Sequence, residues 1–548
     1  MMKSAMARPW WRGAVIYQIY PRSFLDTNGD GIGDLPGVIA RLDYIQQLGV
    51  DAIWLSPFFV SPMRDHGYDV ADHRRVDPMF GRDADVDRLL SEAHRRGLRL
   101  IFDMVLPHSS DEHAWFVESR ASRDNPRSDW YVWADPRRDG TPPNNWLSVF
   151  GGPAWQWEPR RRQYYLHHFL KSQPNLNWHH PEVVDAMMDV VRFWMQKGVD
   201  GLRLDALTTL LSDRDLRDNP PAASTGPRQE VVGTTNTPFV YQEHMFDRNV
   251  PGTIELIGRL RAEVDQYPDR YMMAEVADVD SAVVGAEYTR GLDRLHSFYS
   301  FGLTGAELSA ELLRRVITHV ETHLGDGWTT YTLGNHDTCR SITRFGAAPH
   351  LSGDPDRLSR LQMALVLSLR GGACLYQGDE LALPEAELTF EQIQDPWGIE
   401  FWPDFKGRDG CRTPIPWRGG APHAGFTEGA PWLPVPAEHH DRAVDRQEED
   451  PASVLQAHRR FLAWRRTQPA LITGNMRLLP APGPILALER SEGRERVLCV
   501  FNISNQPISC PVEPGWTALA GHGLEAGAEL KGETLSLAAF GVFFGRRG

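Results

Sequence analysis

The chain has 548 residues, more than one ordinary core accommodates, so a large domain with one or two smaller companions is expected. A formal net charge of −14 and a pI near 5.8 repel phosphate backbones and anionic lipid, which excludes nucleic acid and membrane as partners and favours a neutral ligand. Five cysteines, Cys339, Cys374, Cys411, Cys499 and Cys510, lack CxxC spacing, so neither a disulfide framework nor a zinc site is indicated.

The first twenty residues carry no sustained apolar run followed by a small-residue cleavage site, and no stretch approaches the ~20 apolar residues of a membrane span. A cytoplasmic protein is expected. From Val15 to about Asp379, short β-branched runs alternate with helical stretches. Eight strands are predicted at 14–20, 51–56, 98–106, 200–207, 270–276, 294–299, 328–337 and 371–380, with helices such as 83–96 and 181–197 between them. That rhythm predicts an α/β fold, a closed (β/α)8 TIM barrel. Between Pro107 and Trp178 the alternation fails, which predicts a small domain inserted after strand 3. A second irregular stretch, 211–250, contains NPPAASTGPR and reads as a loop. After a Pro- and Trp-rich segment and a helix near 453–466, the remainder alternates apolar and polar residues, as a C-terminal antiparallel β-domain does. The expected domains are a barrel over 1–106 and 179–467, an inserted domain over 107–178 and a C-terminal β-sandwich over 468–548.

In such a barrel, reactive side chains gather at the C-terminal ends of the strands. Here His108 follows strand 3, Arg203 and Asp205 end strand 4, Glu275 ends strand 5, and Asn335, His336 and Asp337 end strand 7. Several carboxylates on one rim suit glycosyl transfer, in which one attacks the anomeric carbon and another protonates the departing oxygen. Arg203 lies two residues before Asp205 on the same strand face and would hold it ionised. Glu275 sits in MMAEV, whose apolar flanks predict a protonated acid. The 18 Trp, 14 Tyr and 23 Phe offer flat faces for sugar rings, although most are expected in the core.

The motifs GVDAIWLSPFF (49–59), DMVLPH (103–108), QPNLNW (173–178), GLRLDAL (201–207), MAEV (273–276), GNHD (334–337) and YQGDE (376–380) stand in this order. Together they resemble glycoside hydrolase family 13, the α-amylase superfamily, in its α-glucosidase and oligo-1,6-glucosidase branch. The resemblance implies Asp205 as nucleophile, Glu275 as general acid/base and Asp337 as the carboxylate that stabilises the distorted transition state. It also implies that His108, Arg203 and His336 contact the sugar or the catalytic groups, with Tyr68 stacked beneath the sugar. The sequence departs from the family at Pro107, usually Asn, and at Asn175, more often Asp in this branch.

Asp65 and Arg412 match the branch's pair that closes the pocket around a terminal glucose, implying exo action. The residue after the nucleophile tends to be Val in enzymes that cut α-1,6 bonds and smaller in those that prefer α-1,4; here it is Ala206, which favours maltose-type substrates by a one-methyl-scale effect of roughly 1–3 kcal/mol. A covalent glucosyl-enzyme also allows transfer to sugar or alcohol acceptors. Oligo-1,6-glucosidase action, or a disaccharide isomerase such as a trehalose synthase or sucrose isomerase, is the alternative. A non-enzymatic transporter subunit is disfavoured by the intact carboxylates. Near strand 1, Asp26, Asn28, Asp30 and Asp34 space oxygens at alternate positions with Gly31 sixth, like the first part of a calcium loop, although position twelve is Gly37. The branch binds structural Ca2+ or Mg2+ there, through those side chains and the carbonyl of Ile32. A monomer or homodimer acting on small α-glucosides is expected.

Overall fold

The structure, a computed structural model, describes residues 8–223 and 237–547; part of the loop read from NPPAASTGPR therefore lies outside the described residues. Eight parallel strands close into a barrel: β1 (Val15–Ile19), β2 (Ala52–Leu55), β3 (Arg99–Val105), β4 (Gly201–Asp205), β5 (Tyr271–Glu275), β6 (Ser297–Ser300), β7 (Thr329–Tyr331) and β8 (Gly372–Tyr376). Each is one of the eight expected, and β1 pairs with β8 to complete the ring. The fold is a (β/α)8 TIM barrel with a C-terminal antiparallel sheet domain.

Every barrel strand is short and buried, so its residues alternate between barrel interior and helical shell. The interior holds Ile16, Trp54, Ile101, Tyr271, Met273 and Tyr299 in one apolar cluster. One layer further toward the C-terminal ends the inward positions become polar. Asp103 is in register with Arg203, Arg203 with Met273, and Glu275 with Tyr299. The outward residues Leu202 and Leu204 belong to the main core with the helices. The helices Asp83–Arg95 and Pro181–Lys197 form as expected.

Strand β7 is shorter than its sequence suggests. After Tyr331 the chain turns: Asn335 Oδ1 accepts from the Asp337 amide at 2.9 Å, and the Asn335 amide donates to Thr338 Oγ1 at 3.0 Å. These local side-chain bonds compete with ladder pairing and peel GNHD away from the sheet, carrying Asp337 to the rim. Strand β8 ends similarly, in a 3-10 turn at Asp379–Leu381.

Two excursions roof the barrel. Between β2 and β3 a hairpin of Phe59–Val60 and Asp72–Val76 carries Asp65 and Tyr68. Within 107–178, Trp133–Ala134, Gln163–Leu166 and Trp155–Glu158 form a three-stranded antiparallel sheet, with Phe116 stacked on Trp133 beneath it. Pro107, which has no side-chain amide to offer, contributes its carbonyl instead, to the Leu176 amide at 2.9 Å and Asn175 Nδ2 at 3.4 Å. Beyond helix Val454–Arg465, the chain forms a five-stranded and a three-stranded antiparallel sheet. Ile485, Leu498, Val500, Leu535, Leu537 and Phe543 pack between the two. Among the described residues no helix is long and apolar enough to cross a membrane.

Candidate active site

The barrel mouth opens into a cavity of about 620 Å3 that brings together Asp65, Tyr68, His108, Asp205, Ala206, Glu275 and Asp337. Residues separated by more than 270 positions thus converge where the barrel argument places reactive groups.

Arg203 organises the floor. Fully buried, it donates from Nη1 to Asp205 Oδ1 at 2.5 Å and Asp103 Oδ1 at 3.0 Å, and from Nη2 to Glu275 Oε2 at 2.7 Å. Its guanidinium lies 4.8 Å over the Trp54 ring, and Trp54 Nε1 donates to Asp103. One cation therefore serves three carboxylates. Burial pushes Asp103 up to about 6 against the pull of Arg203. Asp205 is also pushed up by burial, with Arg203 opposing and Glu275 and Asp103 reinforcing. The cluster is built to retain a proton.

Two expectations need correction here. The apolar neighbours foreseen for Glu275 point elsewhere: Ala274 and Val276 are buried in the main core, while the carboxylate accepts from Arg203 and, at 3.2 Å, from the Ala206 amide. A strand's side chains alternate, so flanking residues in sequence do not surround it in space. Asp65, for its part, does not pair with Arg412. Its partner is Arg408, whose Nη2 donates to Asp65 Oδ1 at 2.9 Å and to Asp395 Oδ1 at 2.8 Å, while Nη1 reaches Asp337 Oδ1 at 3.2 Å. Arg412 is drawn one step inward, to the His336 carbonyl at 2.7 Å and Asp337 Oδ1 at 2.8 Å. The two arginines are four residues apart in GRDGCR, and only packing decides which faces Asp65.

Asp337 is consequently bound by both arginines. Burial opposes its charge, but His336, Arg408 and Arg412 hold its carboxyl far below the usual carboxylate range. Beside it, burial pushes His336 down to about 3, so the ring is neutral. Gln18 Nε2 donates to its Nδ1 at 2.7 Å, leaving the ring proton on Nε2, 2.6 Å from the Tyr68 hydroxyl, which in turn donates to Asp103 Oδ2 at 3.0 Å. Tyr68 lies parallel to the His336 ring, 5.3 Å away. His108, pushed down to about 3 by burial, holds Nε2 3.1 Å from the Tyr68 carbonyl. Gln173 Nε2 bridges it to Asp65 at 3.0 Å.

Phe150, Phe169 and Trp397 complete the wall. Phe150 stacks on Trp397 at 5.0 Å and meets Phe169 edge-on at 5.7 Å, with the Arg408 guanidinium 5.1 Å over Phe150. Sequence reading missed Asp103, Gln173, Arg408 and this aromatic wall. Asp103 left a signal, a lone carboxylate inside the apolar run LIFDMVL; the others lie in irregular segments that no periodicity marks.

Chain 18–474 matches the family model described as "Alpha amylase, catalytic domain". The chain belongs to the α-amylase family, glycoside hydrolase family 13. Within the α-amylase family it is similar to the "Probable alpha-glucosidase" of Rhizobium meliloti (strain 1021), 50% identical over 98% of this chain and 97% of that protein. It is 35% identical to the "Oligo-1,6-glucosidase" of Heyndrickxia coagulans, over 94% of this chain and 96% of the relative. The crystal structure of an "alpha-glucosyl transfer enzyme" superposes with a TM-score of 0.95 at 51% identity, covering 99% of this chain and 100% of that one. This α-amylase family member is therefore a glycoside hydrolase.

The loop near β1 has the hard oxygen donors a divalent cation prefers, at alternating positions. Gly29 and Gly31 adopt left-handed conformations, φ 82° and 89°, and a Cβ at Gly31 would meet the Ala430 carbonyl at 1.8 Å. Asp26 Oδ1 accepts from the Asn28 and Gly29 amides, Asp30 Oδ1 from the Ile32 amide, and Asp34 from Thr27 and Gly37. The donor types and spacing fit an ion. Among the described residues, however, no three or more His, Cys, Asp or Glu side chains are already gathered to hold one.

Proposed function

We propose that this enzyme is a retaining, exo-acting α-glucosidase that releases α-glucose from the non-reducing ends of short, maltose-type α-1,4-glucosides in the cytoplasm and transfers glucose to sugar or alcohol acceptors. The observation that carries the reading is the single Arg203 guanidinium bound to both Asp205 and Glu275. A shared guanidinium keeps nucleophile and acid/base close-set, as double displacement requires, rather than parted to admit a water between nucleophile and sugar.

In the first step Asp205 attacks the anomeric carbon and the glycosidic bond breaks, Glu275 giving its proton to the leaving oxygen. In the second, Glu275 takes a proton from water or an acceptor hydroxyl, which attacks the same carbon and frees Asp205. Asp337, kept charged, would bind ring hydroxyls and favour the oxocarbenium-like transition state. The arginine and aromatic wall of Asp65, Arg408, Phe150 and Trp397 supports recognition of a chain end, since it closes the pocket beyond the terminal ring. Ala206 supports α-1,4 preference by leaving room beside the scissile bond.

We further propose a structural Ca2+ or Mg2+ bound by Asp26, Asn28, Asp30, the Ile32 carbonyl and Asp34; it would hold the loop and take no part in bond cleavage. Proton NMR of maltose turnover tests the main reading. Initial α-glucose supports it, initial β-glucose rules out retention, and an isomeric disaccharide formed without free glucose assigns isomerase action instead.

A further inference from the structure

The leaving-group side of the cavity contains a cation that the reaction above does not use. Arg248 lines the cavity and is only 6% exposed. Its one hydrogen bond among the described residues runs from Nη1 to the Ala277 carbonyl at 3.3 Å, and Nε has no partner. The guanidinium is fixed in place, lying 4.7 Å over the Phe239 ring, which itself stacks on His244 at 3.7 Å.

The carboxylates whose charge acts on it are Asp247, Asp278 and Glu275, and each also has hydrogen-bond partners of its own. Asp247 Oδ2 lies 2.9 Å from His244 Nδ1. Asp278 accepts from Asn249 Nδ2 and the Asp280 amide, and Glu275 from Arg203 and Ala206. A largely buried guanidinium that spends a single hydrogen bond on the described chain can gain from an acceptor in the cavity it lines. The cavity lining also includes Val279, Phe301 and Leu312, and among charged groups Glu307 and Arg315. An apolar shelf next to a desolvated, under-bonded cation selects a ligand with a flat hydrophobic body and an oxyanion, because the charge-assisted bond is the strongest one that Arg248 can make there.

We propose that Arg248 is a specificity-determining residue that recognises a carboxylate on an apolar or aromatic aglycone of the α-glucoside. The inference rests on the α-glucosidase reading and adds what occupies the leaving-group side. By reversal of the same step, an acceptor carrying that carboxylate binds there when glucose is transferred.

The test compares initial rates on 4-carboxyphenyl and 4-carbamoylphenyl α-D-glucopyranoside, which differ in charge but hardly in shape, for the wild-type enzyme, Arg248→Met and Arg248→Lys. The ratio of kcat/KM values, carboxylate over amide, is expected to fall at least about tenfold in Arg248→Met, chiefly through KM, and to recover substantially in Arg248→Lys. Cleavage of both glucosides with one ratio in all three proteins overturns the role of Arg248 and leaves the hydrolase reading standing. Cleavage of neither by the wild-type enzyme overturns both.

Discussion

The two halves of the cavity are built on opposite plans. On the glucose side each charge has an opposite partner: Arg203, Arg408 and Arg412 are interleaved with Asp65, Asp103, Asp205, Asp337 and Asp395 in a buried set of ion pairs. On the leaving-group side the lining mixes Val279, Phe301 and Leu312 with Thr304, Glu307 and Arg315, and Arg248 makes a single hydrogen bond among the described residues. A set of buried ion pairs is rigid and discriminating, because displacing a member leaves its partner's charge less well matched. An under-bonded rim leaves donors for a ligand to engage. The contrast teaches that the chain matches its own charges on the glucose side, whereas on the leaving-group side a bound group can complete the match.

The set of ion pairs breaks most severely at its reacting members. Asp205→Asn is expected to lower kcat on 4-nitrophenyl α-glucoside by about 10⁴-fold or more, and Glu275→Gln by about 10²–10⁴-fold. Circular dichroism should show both folded, and near-normal rates in either would remove that residue from its role. Arg408→Met takes the shared cation from Asp65 and Asp395 and leaves Asp337 with Arg412 alone, at about 3–5 kcal/mol. Its kcat/KM for maltose should drop by more than 100-fold, whereas a variant cleaving maltose normally would show that the wall does not read the terminal ring.

Ala206→Val probes the boundary between the halves. Ala206 sits in the left-handed region at φ 44°, where a β-branched residue is strained by about 1–3 kcal/mol. The variant should melt earlier and shift the maltose-to-isomaltose preference toward isomaltose by up to about 1–3 kcal/mol; an unchanged ratio would free the linkage from this residue. A subtler probe is Asp103→Asn. Asp103 is pushed up to about 6 and its negative charge helps to raise Asp205. Removing that charge should move the acidic limb of the kcat/KM profile to lower pH by about one unit. A limb that stays in place assigns it to another group. The smallest effect is expected from a chelator, which should lower the melting temperature by about one degree for each 1 kcal/mol that a cation in the loop at Asp26 contributes to a chain this size.

The barrel was legible because its strands are apolar runs at regular intervals, and a run such as MMAEV or GLRLDAL places its carboxylate at a strand end without further information. Asp205, Glu275 and Asp337 were found that way, and they do share one cavity. What flanks a residue in space was not legible in the same manner. The apolar neighbours of Glu275 misled because a pleated strand turns them outward, and Arg412 was expected opposite Asp65 from the resemblance alone, since an irregular segment carries no facing information that would point to Arg408. Arg248 escaped notice for a related reason: its surroundings are assembled from segments following three different strands, so no local pattern announces them.

The segment that supplies Arg408 and Arg412 runs on to grip the loop near β1. Phe426 accepts from the Asp26 amide, Thr427 donates to Asp26, and the Trp432 amide donates to the Gly31 carbonyl. It thus acts as a tether between the loop near β1 and the wall proposed to recognise the sugar. Loosening the loop slackens the wall while leaving Arg203 and its carboxylates, anchored on strands β3, β4 and β5, where they were. An enzyme damaged at this loop should lose its grip on substrate before it loses the ability to break the bond.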